Sequence, residues 1–213
     1  MEGYAKTNAN LGLGNSFFPN FSFRCRSAFK LLEIDDKYHI LSPGMNVIDC
    51  GAAPGSWTQV AVTRVNADQK NPELPIGKVI GVDRLPFTPV DGAILLPNSD
   101  FTLPKTQAQI KEILGSQRVD AVLSDMAPSA TGVKNLDQEL IVKLAYSAVR
   151  FALQMTKPGG TCLVKVWDGG LTPALFKDIS RFYKIVRYVK PNASRSDSAE
   201  NFILACDFQG IKT

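Results

Sequence analysis

The sequence is poor in the residues that bind metals and form disulfide frameworks. It has one histidine, His39, and four cysteines that share no Cys-x-x-Cys spacing. This set argues against a zinc site, because such sites usually need closely spaced cysteine and histidine ligands. Cys50, Cys162 and Cys206 lie in apolar runs, where a reduced thiol packs like a small hydrophobic side chain. A disulfide framework is therefore not implied, and a reducing compartment is favoured.

Length, composition and charge predict one compact domain with a phosphate-rich partner. The chain has 213 residues, of which 45% are hydrophobic and 21% charged, the balance of a globular domain with a substantial core. No apolar run approaches the roughly 18 residues that cross a bilayer, so we expect no membrane insertion. The segment Gly3–Lys30 contains no acid, and Arg181–Arg195 contains five bases without one. Both segments suit contact with phosphates, and on charge alone solvated faces explain them equally well.

Periodicity separates residues 1–22 from residues 23–213. The first segment has few charges and no helical period, which predicts a flexible N-terminal segment. The second alternates strand-like and helix-like stretches, which predicts a single domain with an α/β sheet. Strands are predicted at Met45–Asp49, Lys78–Asp83, Ala93–Leu96, Val119–Ser124, Thr161–Trp167, Ile185–Val189 and Phe202–Cys206. Since no helix separates the last two, we expect them to form an antiparallel hairpin that closes the sheet.

Helical signals are clearest between the fourth and fifth predicted strands. Apolar residues from Leu140 to Met155 recur with a helical period, and Lys157–Gly160 ends the helix. Near the start, Ser27 is placed to cap a short helix that would project Lys30 from a fixed element. The stretch Asn66–Gly77, with two prolines and several polar residues, predicts a surface loop.

Two loops that follow hydrophobic strands give the strongest signal for a binding site. They are Asp49–Gly55 and Ser124–Pro128. Loops at the carboxyl ends of parallel strands share one crevice, so a small-residue loop and an acidic loop there indicate a ligand beside a catalytic group. Gly51 and Gly55 remove side chains where the backbone approaches a ligand. The residues between them depart from Gly-x-Gly-x-x-Gly, which disfavours a nicotinamide cofactor.

Other residues near these loops fit a nucleoside-like ligand. Asp83 ends the second predicted strand, where a carboxylate can accept both hydroxyl protons of a ribose. Asp100 follows the third strand and is placed to accept a hydrogen bond from an adenine amino group. Either acid alone is more typical of a turn or a helix cap. Trp57 fits core packing and a wall beside the ligand equally well.

One lysine stands out because it interrupts an apolar strand. Lys165 lies between Cys162-Leu163-Val164 and Val166-Trp167, where a charge is costly unless it is paired or used.

Several separated motifs, in order, resemble the FtsJ-type RNA 2′-O-methyltransferases. The matching segments are Phe23–Leu31, Asp49–Trp57, Ser124–Pro128, Pro158–Gly160 with Val164–Val166, and Lys190–Pro191 through Ser194–Arg195 to Glu200. The resemblance runs from about Phe23 to Gln209. It implies a Rossmann-like class I methyltransferase fold over residues 23–213. Seven strands are expected, mostly parallel with the last antiparallel, and helices cover both faces. It also implies S-adenosyl-L-methionine as the cofactor.

The resemblance further assigns site residues. The family's catalytic tetrad falls on Lys30, Asp125, Lys165 and Glu200. Its cofactor contacts fall on Pro54, Gly55, Ser56, Trp57, Asp83, Asp100 and Asp125, to which the glycine argument above adds Gly51. No metal is implied.

The tetrad suggests how a ribose hydroxyl, a poor nucleophile near neutral pH, is activated. Lys165 is the expected base, and Lys30 supplies a second cation that disfavours its charged form. Asp125 orients Lys165, and Glu200 positions Lys30 or the substrate ribose. The two carboxylates act in the opposite sense to Lys30, so the balance depends on distances that a sequence does not give.

Other methyltransferase chemistries suit these residues less well. Methylation of a base amine is disfavoured, because Asp125 is followed by Met126 rather than by a stacking aromatic residue. Methylation of a pyrimidine carbon needs a cysteine nucleophile, and Cys162, at the start of a strand, is expected in the core.

The residues of these motifs most resemble those of the mitochondrial branch of the family, which methylates a uridine of large-subunit rRNA. We therefore expect the partner to be rRNA within an assembling large ribosomal subunit, and the location to be the mitochondrial matrix, with cytoplasm or nucleus left open. A monomer is expected. The alternatives are a tRNA anticodon loop or an mRNA cap as substrate, or a largely non-catalytic RNA-binding assembly factor that keeps the fold.

Overall fold

The computed structural model describes residues 22–195 and 198–211. Within this part of the chain, the helices are α1 (Ala28–Tyr38), α2 (Ser56–Val65), α3 (Pro104–Leu114), α4 (Lys134–Met155) and α5 (Thr172–Ile179). The strands are β1 (Asn46–Cys50), β2 (Lys78–Val82), β3 (Ala93–Leu96), β4 (Val119–Ser124), β5 (Thr156–Trp167), β6 (Tyr183–Val189) and β7 (Glu200–Phe208). The N-terminal segment predicted over residues 1–22 lies outside the described residues apart from Ser22.

The described strands form one mixed sheet in the order β3-β2-β1-β4-β5-β7-β6. Strands β1 to β5 run parallel to one another, and β7 runs antiparallel to both β5 and β6. The predicted fold class is confirmed, including the closing antiparallel strand. Each predicted strand is present, because each is a short apolar run bounded by turn residues.

Apolar layers cover both faces of the sheet. Val47 packs on one face with residues of α1 and α2, and its neighbour Ile48 packs on the other face with residues of α3, α4 and α5. Successive residues of a strand point to opposite faces, so strands buried on both sides need continuous apolar runs. This three-layer packing fixes the strand ends that carry the site. In the described chain no helix is both long and apolar enough to cross a membrane.

The start of β5 differs from the sequence prediction. The helix α4 ends at Met155 as expected, but β5 begins at once with Thr156 instead of at Thr161. Thr156 pairs with Val119, the register then shifts, and pairing resumes between Ala121 and Thr161. The intervening residues form an irregularity of the strand, because the ladder accommodates extra residues on one side as a bulge. The predicted loop Asn66–Gly77 is observed between α2 and β2.

Candidate active site

A crevice opens at the point where the strand order of the sheet changes from one side of β1 to the other. Strand β1 lies between β2 and β4, so the connections that leave β1 and β4 diverge at the carboxyl edge. A cavity of about 540 Å³ lies there. It is lined by Gly51, Ala53, Val82, Asp83, Arg84, Leu85, Ser99, Asp100, Phe101, Asp125, Met126, Ala127, Pro128, Ser129 and Leu144. The loops after β1 and β4 thus form one site.

Gly51 keeps this cavity open. Its backbone N–H donates to the carbonyl of Val82 at 2.9 Å, and its φ of 81° lies in the left-handed region. A Cβ at this position would come within 2.7 Å of Met126 Cγ. Only glycine meets both conditions without strain.

The backbone holds the carboxylates of Asp83 and Asp100 at the cavity wall. Asp83 accepts hydrogen bonds from the N–H groups of Ala53 at 2.9 Å and Leu85 at 2.7 Å. Asp100 Oδ1 accepts from both the N–H and the hydroxyl of Thr102. Burial raises the pKa of Asp100, but these hydrogen bonds and the charge of Arg84 outweigh burial and hold the pKa below its usual range. Both groups are therefore fixed acceptors with lone pairs left for a ligand.

The predicted tetrad forms a continuous chain of ion pairs. Lys30 Nζ lies 2.6 Å from Glu200 Oε1, and Glu200 Oε2 lies 3.4 Å from Lys165 Nζ. Lys165 Nζ lies 2.5 Å from Asp125 Oδ1 and donates a hydrogen bond of 3.1 Å to the Asp125 carbonyl. At most 17% of each side chain is exposed. The structure therefore joins these residues at one edge of the crevice, which Asp125 also lines.

Strand register explains this cluster. Val164 pairs with Ser124 in the parallel β4–β5 ladder, so the next residues, Lys165 and Asp125, emerge together. In the antiparallel β5–β7 ladder Lys165 pairs with Phe202, and Glu200 lies two positions away on the same face. Lys30 comes from the first turn of α1.

Glu200 is held as a carboxylate by its neighbours. Burial raises its pKa, but Lys30, Lys165 and a 2.9 Å hydrogen bond from the Ser194 hydroxyl together lower the pKa below its usual range. Ser194 is fixed in turn, because Glu33 of α1 accepts hydrogen bonds from the N–H groups of the two preceding residues. The turn before β7 is thereby tied to the helix that carries Lys30.

Ser27 has a role that the sequence did not indicate. It stands at the N-cap position of α1, as predicted, but its side chain makes no capping hydrogen bond. Its hydroxyl instead donates to Asp125 Oδ2 at 2.7 Å. The capping signal was correct for position and wrong for the side chain, because Ser27 has helical backbone angles (φ −60°, ψ −25°) instead of the extended angles that direct a cap hydroxyl at the backbone N–H groups.

Pro54 and Gly55 lie at the outer side of the loop, outside the lining of the crevice. The Pro54 carbonyl accepts a 2.8 Å hydrogen bond from Arg24, whose guanidinium also donates to the carbonyls of Thr88 and Pro89. A Cβ on Gly55 would come within 2.5 Å of this guanidinium. Arg24 therefore fastens the loop after β1 to the segment after β2. The cofactor contacts predicted for Pro54 and Gly55 stay predictions.

Ser56 and Trp57 begin α2 and are buried. The Ser56 hydroxyl accepts from the Cys25 N–H at 2.9 Å. The Trp57 ring packs 5.6 Å from that of Phe202, and its Nε1 donates to the Ser27 carbonyl at 2.9 Å. Of its two sequence interpretations, Trp57 fits core packing, and it positions the residue that contacts Asp125. No described atom tests its predicted contact with the cofactor, or that of Ser56.

Asp49 is a buried carboxyl group that sequence reasoning left without a role. It is fully buried in β1, and Oδ2 accepts a 2.6 Å hydrogen bond from Thr58, while Oδ1 has no hydrogen-bond partner. Burial, with the charges of Asp125 and Asp83, raises its pKa to about 7. Cys162 is also buried, and burial raises its pKa to about 12, so it is a core residue as predicted. The described residues contain no cluster of ligands that could hold a metal ion.

Comparison with known proteins identifies the family. The sequence profile of FtsJ-like methyltransferases matches residues 23–208. The chain belongs to the FtsJ-like methyltransferase family. This FtsJ-like chain is 55% identical to "rRNA methyltransferase 2, mitochondrial" of Drosophila melanogaster over 189 residues, which cover 89% of this chain and 76% of the relative. The family predicted from the motifs is therefore confirmed.

Two more distant relatives are also named as ribosomal RNA methyltransferases. "Ribosomal RNA large subunit methyltransferase E" of Parvibaculum lavamentivorans is 47% identical over 88% of this chain and 74% of its own length. The crystal structure of a Plasmodium falciparum chain, named as a ribosomal RNA methyltransferase, has a TM-score of 0.77 at 28% identity and covers 89% of this chain and 100% of its own. The chain is thus a methyltransferase of the fold predicted from its sequence.

Proposed function

We propose that this chain transfers a methyl group from S-adenosyl-L-methionine to the 2′-hydroxyl of a uridine in large-subunit rRNA, in the mitochondrial matrix. The observation that carries the proposal is the chain of contacts Lys30–Glu200–Lys165–Asp125 at the edge of the crevice. The names of the relatives support rRNA as the substrate, and that of the Drosophila relative supports the compartment. Residues 23–213 would form the methyltransferase domain.

The crevice fits the proposed cofactor. Fixed carboxylates of Asp83 and Asp100 suit the hydroxyl and amino groups of adenosine, and the bare backbone of Gly51 leaves room for a close approach. Asp125 lines the same cavity and contacts Lys165, so the cofactor would lie next to the tetrad. When bound, S-adenosyl-L-methionine supplies an electrophilic methyl group on a sulfonium.

Lys165 is the base that we propose for the proton of the ribose hydroxyl. It is 8% exposed, and its contacts with Asp125 and Glu200 hold Nζ at one point of the crevice edge. A general base acts only within hydrogen-bond reach of the proton, so this fixed position matters as much as basicity. Glu200 holds Lys30 beside the same point, where its charge suits a nearby phosphate or the developing oxyanion of the substrate.

The test is transfer of labelled methyl groups to large-subunit rRNA particles from mitochondria, with the modified nucleotide mapped by mass spectrometry. Lys165→Ala should abolish transfer while cofactor binding remains. Lys157→Ala is the matched control, because it removes another lysine of β5, which is 53% exposed and pairs with Asp120 of β4. Substantial turnover in Lys165→Ala would refute the proposed base. Label on a tRNA competitor would change the substrate, and RNA binding without S-adenosylhomocysteine release would favour an assembly factor.

A further inference from the structure

A second cavity lies beside the crevice, between α3 and α4. Its volume is about 680 Å³, and Arg84, Pro128, Ser129 and Leu144 line both cavities. Its other lining residues are Thr102, Gln107, Leu140, Lys143, Ser147, Arg150 and Gln154. We call this cavity the α3–α4 groove. It is continuous with the proposed cofactor site and lies outside the tetrad.

The groove is positively charged. Arg84, Lys143 and Arg150 line it, and the described lining residues include no carboxylate. The remaining polar lining groups are hydroxyls and amides, which can bond to phosphate oxygens. Arg150 lies with its guanidinium carbon 5.8 Å from the ring centre of Tyr146, a cation–π contact that orients the charge. Such a surface is complementary to a polyanion.

Further bases extend this charge along the groove. Gln154, at the far end of the lining, accepts hydrogen bonds from Lys111 at its side chain and from Arg118 at its carbonyl. Lys143 and Gln154 lie on one helix, so they are ~16 Å apart along its axis at 1.5 Å per residue. A single phosphate group would contact only part of a strip of this length. The strip therefore suits an extended chain of phosphates.

We propose that the α3–α4 groove binds the sugar-phosphate backbone of the RNA substrate at a segment away from the reacting nucleotide. This inference rests on the proposed function, because that function makes RNA the polyanionic substrate of the adjoining crevice, with which the groove shares Arg84, Pro128, Ser129 and Leu144. Phosphate contacts of this kind position a nucleic acid without reading its sequence. An acidic peptide has the same charge, but the shared lining of groove and crevice favours the substrate itself.

The test compares two charge-reversed forms of the full chain. Lys143→Glu with Arg150→Glu changes the groove and leaves Arg84, which the crevice shares, intact. Lys37→Glu with Lys177→Glu makes the same change in net charge at exposed positions of α1 and α5. Affinity for a transcript of large-subunit rRNA is measured by filter binding over a range of salt, together with S-adenosylmethionine binding by calorimetry.

The groove variant should bind the transcript at least about tenfold more weakly, and its salt slope should fall by ~0.7 for each phosphate that the groove no longer neutralises. The control should retain the wild-type slope, and both variants should bind the cofactor normally. The proposal would be overturned by an unchanged salt slope in the groove variant, or by an equal loss of RNA affinity in the control variant. It would also be overturned if the groove variant bound the cofactor more weakly, or if polyaspartate displaced the transcript from wild type as well as unlabelled RNA does. If wild type binds RNA but transfers no methyl group, the proposed function fails, while the salt slopes still decide the groove.

Discussion

The Ser27 hydroxyl donates a hydrogen bond of 2.7 Å to Asp125 Oδ2, while Lys165 faces Oδ1 of the same carboxylate. Asp125 is thus held from α1 and from β5 at once. Oδ1 accepts no hydrogen bond of good geometry despite its short distance to Lys165. Ser27 therefore supplies the directional interaction that sets the plane of the Asp125 carboxylate.

We predict that Ser27→Ala lowers kcat on the order of tenfold, because a hydrogen bond to a charged group contributes about 1.5 kcal/mol or more. The KM for S-adenosylmethionine should change little. Ser27→Thr keeps the hydroxyl and should recover part of the rate. Steady-state kinetics of the three proteins provide the measurement. A rise in KM alone, with kcat unchanged, would show that Ser27 does not position the Asp125 carboxylate for the proposed reaction.

Gly51→Ala should weaken cofactor binding about tenfold. The new Cβ would meet Met126 Cγ at 2.7 Å, and a φ of 81° costs a non-glycine residue roughly 1 to 2 kcal/mol. Calorimetric titration with S-adenosylmethionine provides the affinity. Gly115→Ala is a control for a positive φ without a steric clash, since φ there is 59° and a Cβ meets nothing within 4 Å. Equal affinities in the two variants would contradict the steric argument.

Asp49 should make the protein less stable as pH rises from about 3.8 to about 7. Its pKa is raised from 3.8 to about 7 in the folded state, so the folded chain binds the proton more tightly. The resulting stabilisation is full below the unfolded pKa and is lost as pH rises to about 7. Asp49→Asn keeps an acceptor for Thr58 and should flatten this decline. The test is to measure the free energy of unfolding in urea for wild type and Asp49→Asn from pH 4 to 8. The same pH dependence in both proteins would refute the prediction.

Glu200 should have the opposite effect in acid. Its folded pKa is lowered from 4.5, so its stabilisation is present above the unfolded pKa and disappears as pH falls through the folded value. Glu200→Gln should therefore be less stable than wild type at pH 7, where it leaves Lys30 and Lys165 without their shared carboxylate. The difference should shrink below pH 4.5. Acid titration of unfolding measures it, and a difference that grows in acid would exclude this assignment.

The sequence predicted the sheet well because its signals are local. Strands such as Val119–Ser124 are continuous apolar runs with clear ends. Lys165 could be singled out from the residues around it, since it interrupts such a run. Lys30 was indicated by the cap signal at Ser27 and by the family resemblance, and Glu200 by the resemblance alone. The hydrogen bond from Ser27 to Asp125 and the α3–α4 groove were missed. Each joins residues from separate elements, and no local pattern encodes such an arrangement.

The ion pair between Lys30 and Glu200 links the first described helix to the last strand, and that strand lies between β5 and β6 in the sheet. During synthesis β6 therefore leaves the ribosome before β7, the strand that joins it to the rest of the sheet, has been made. The tetrad becomes complete only when β7, which carries Glu200, inserts between β5 and β6, since contacts of such long sequence separation form late. A nascent chain, or one cleaved before β7, would contain the ligand crevice but lack Glu200. Any activity that depends on the proposed tetrad would therefore require that β7 has been synthesised and inserted into the sheet.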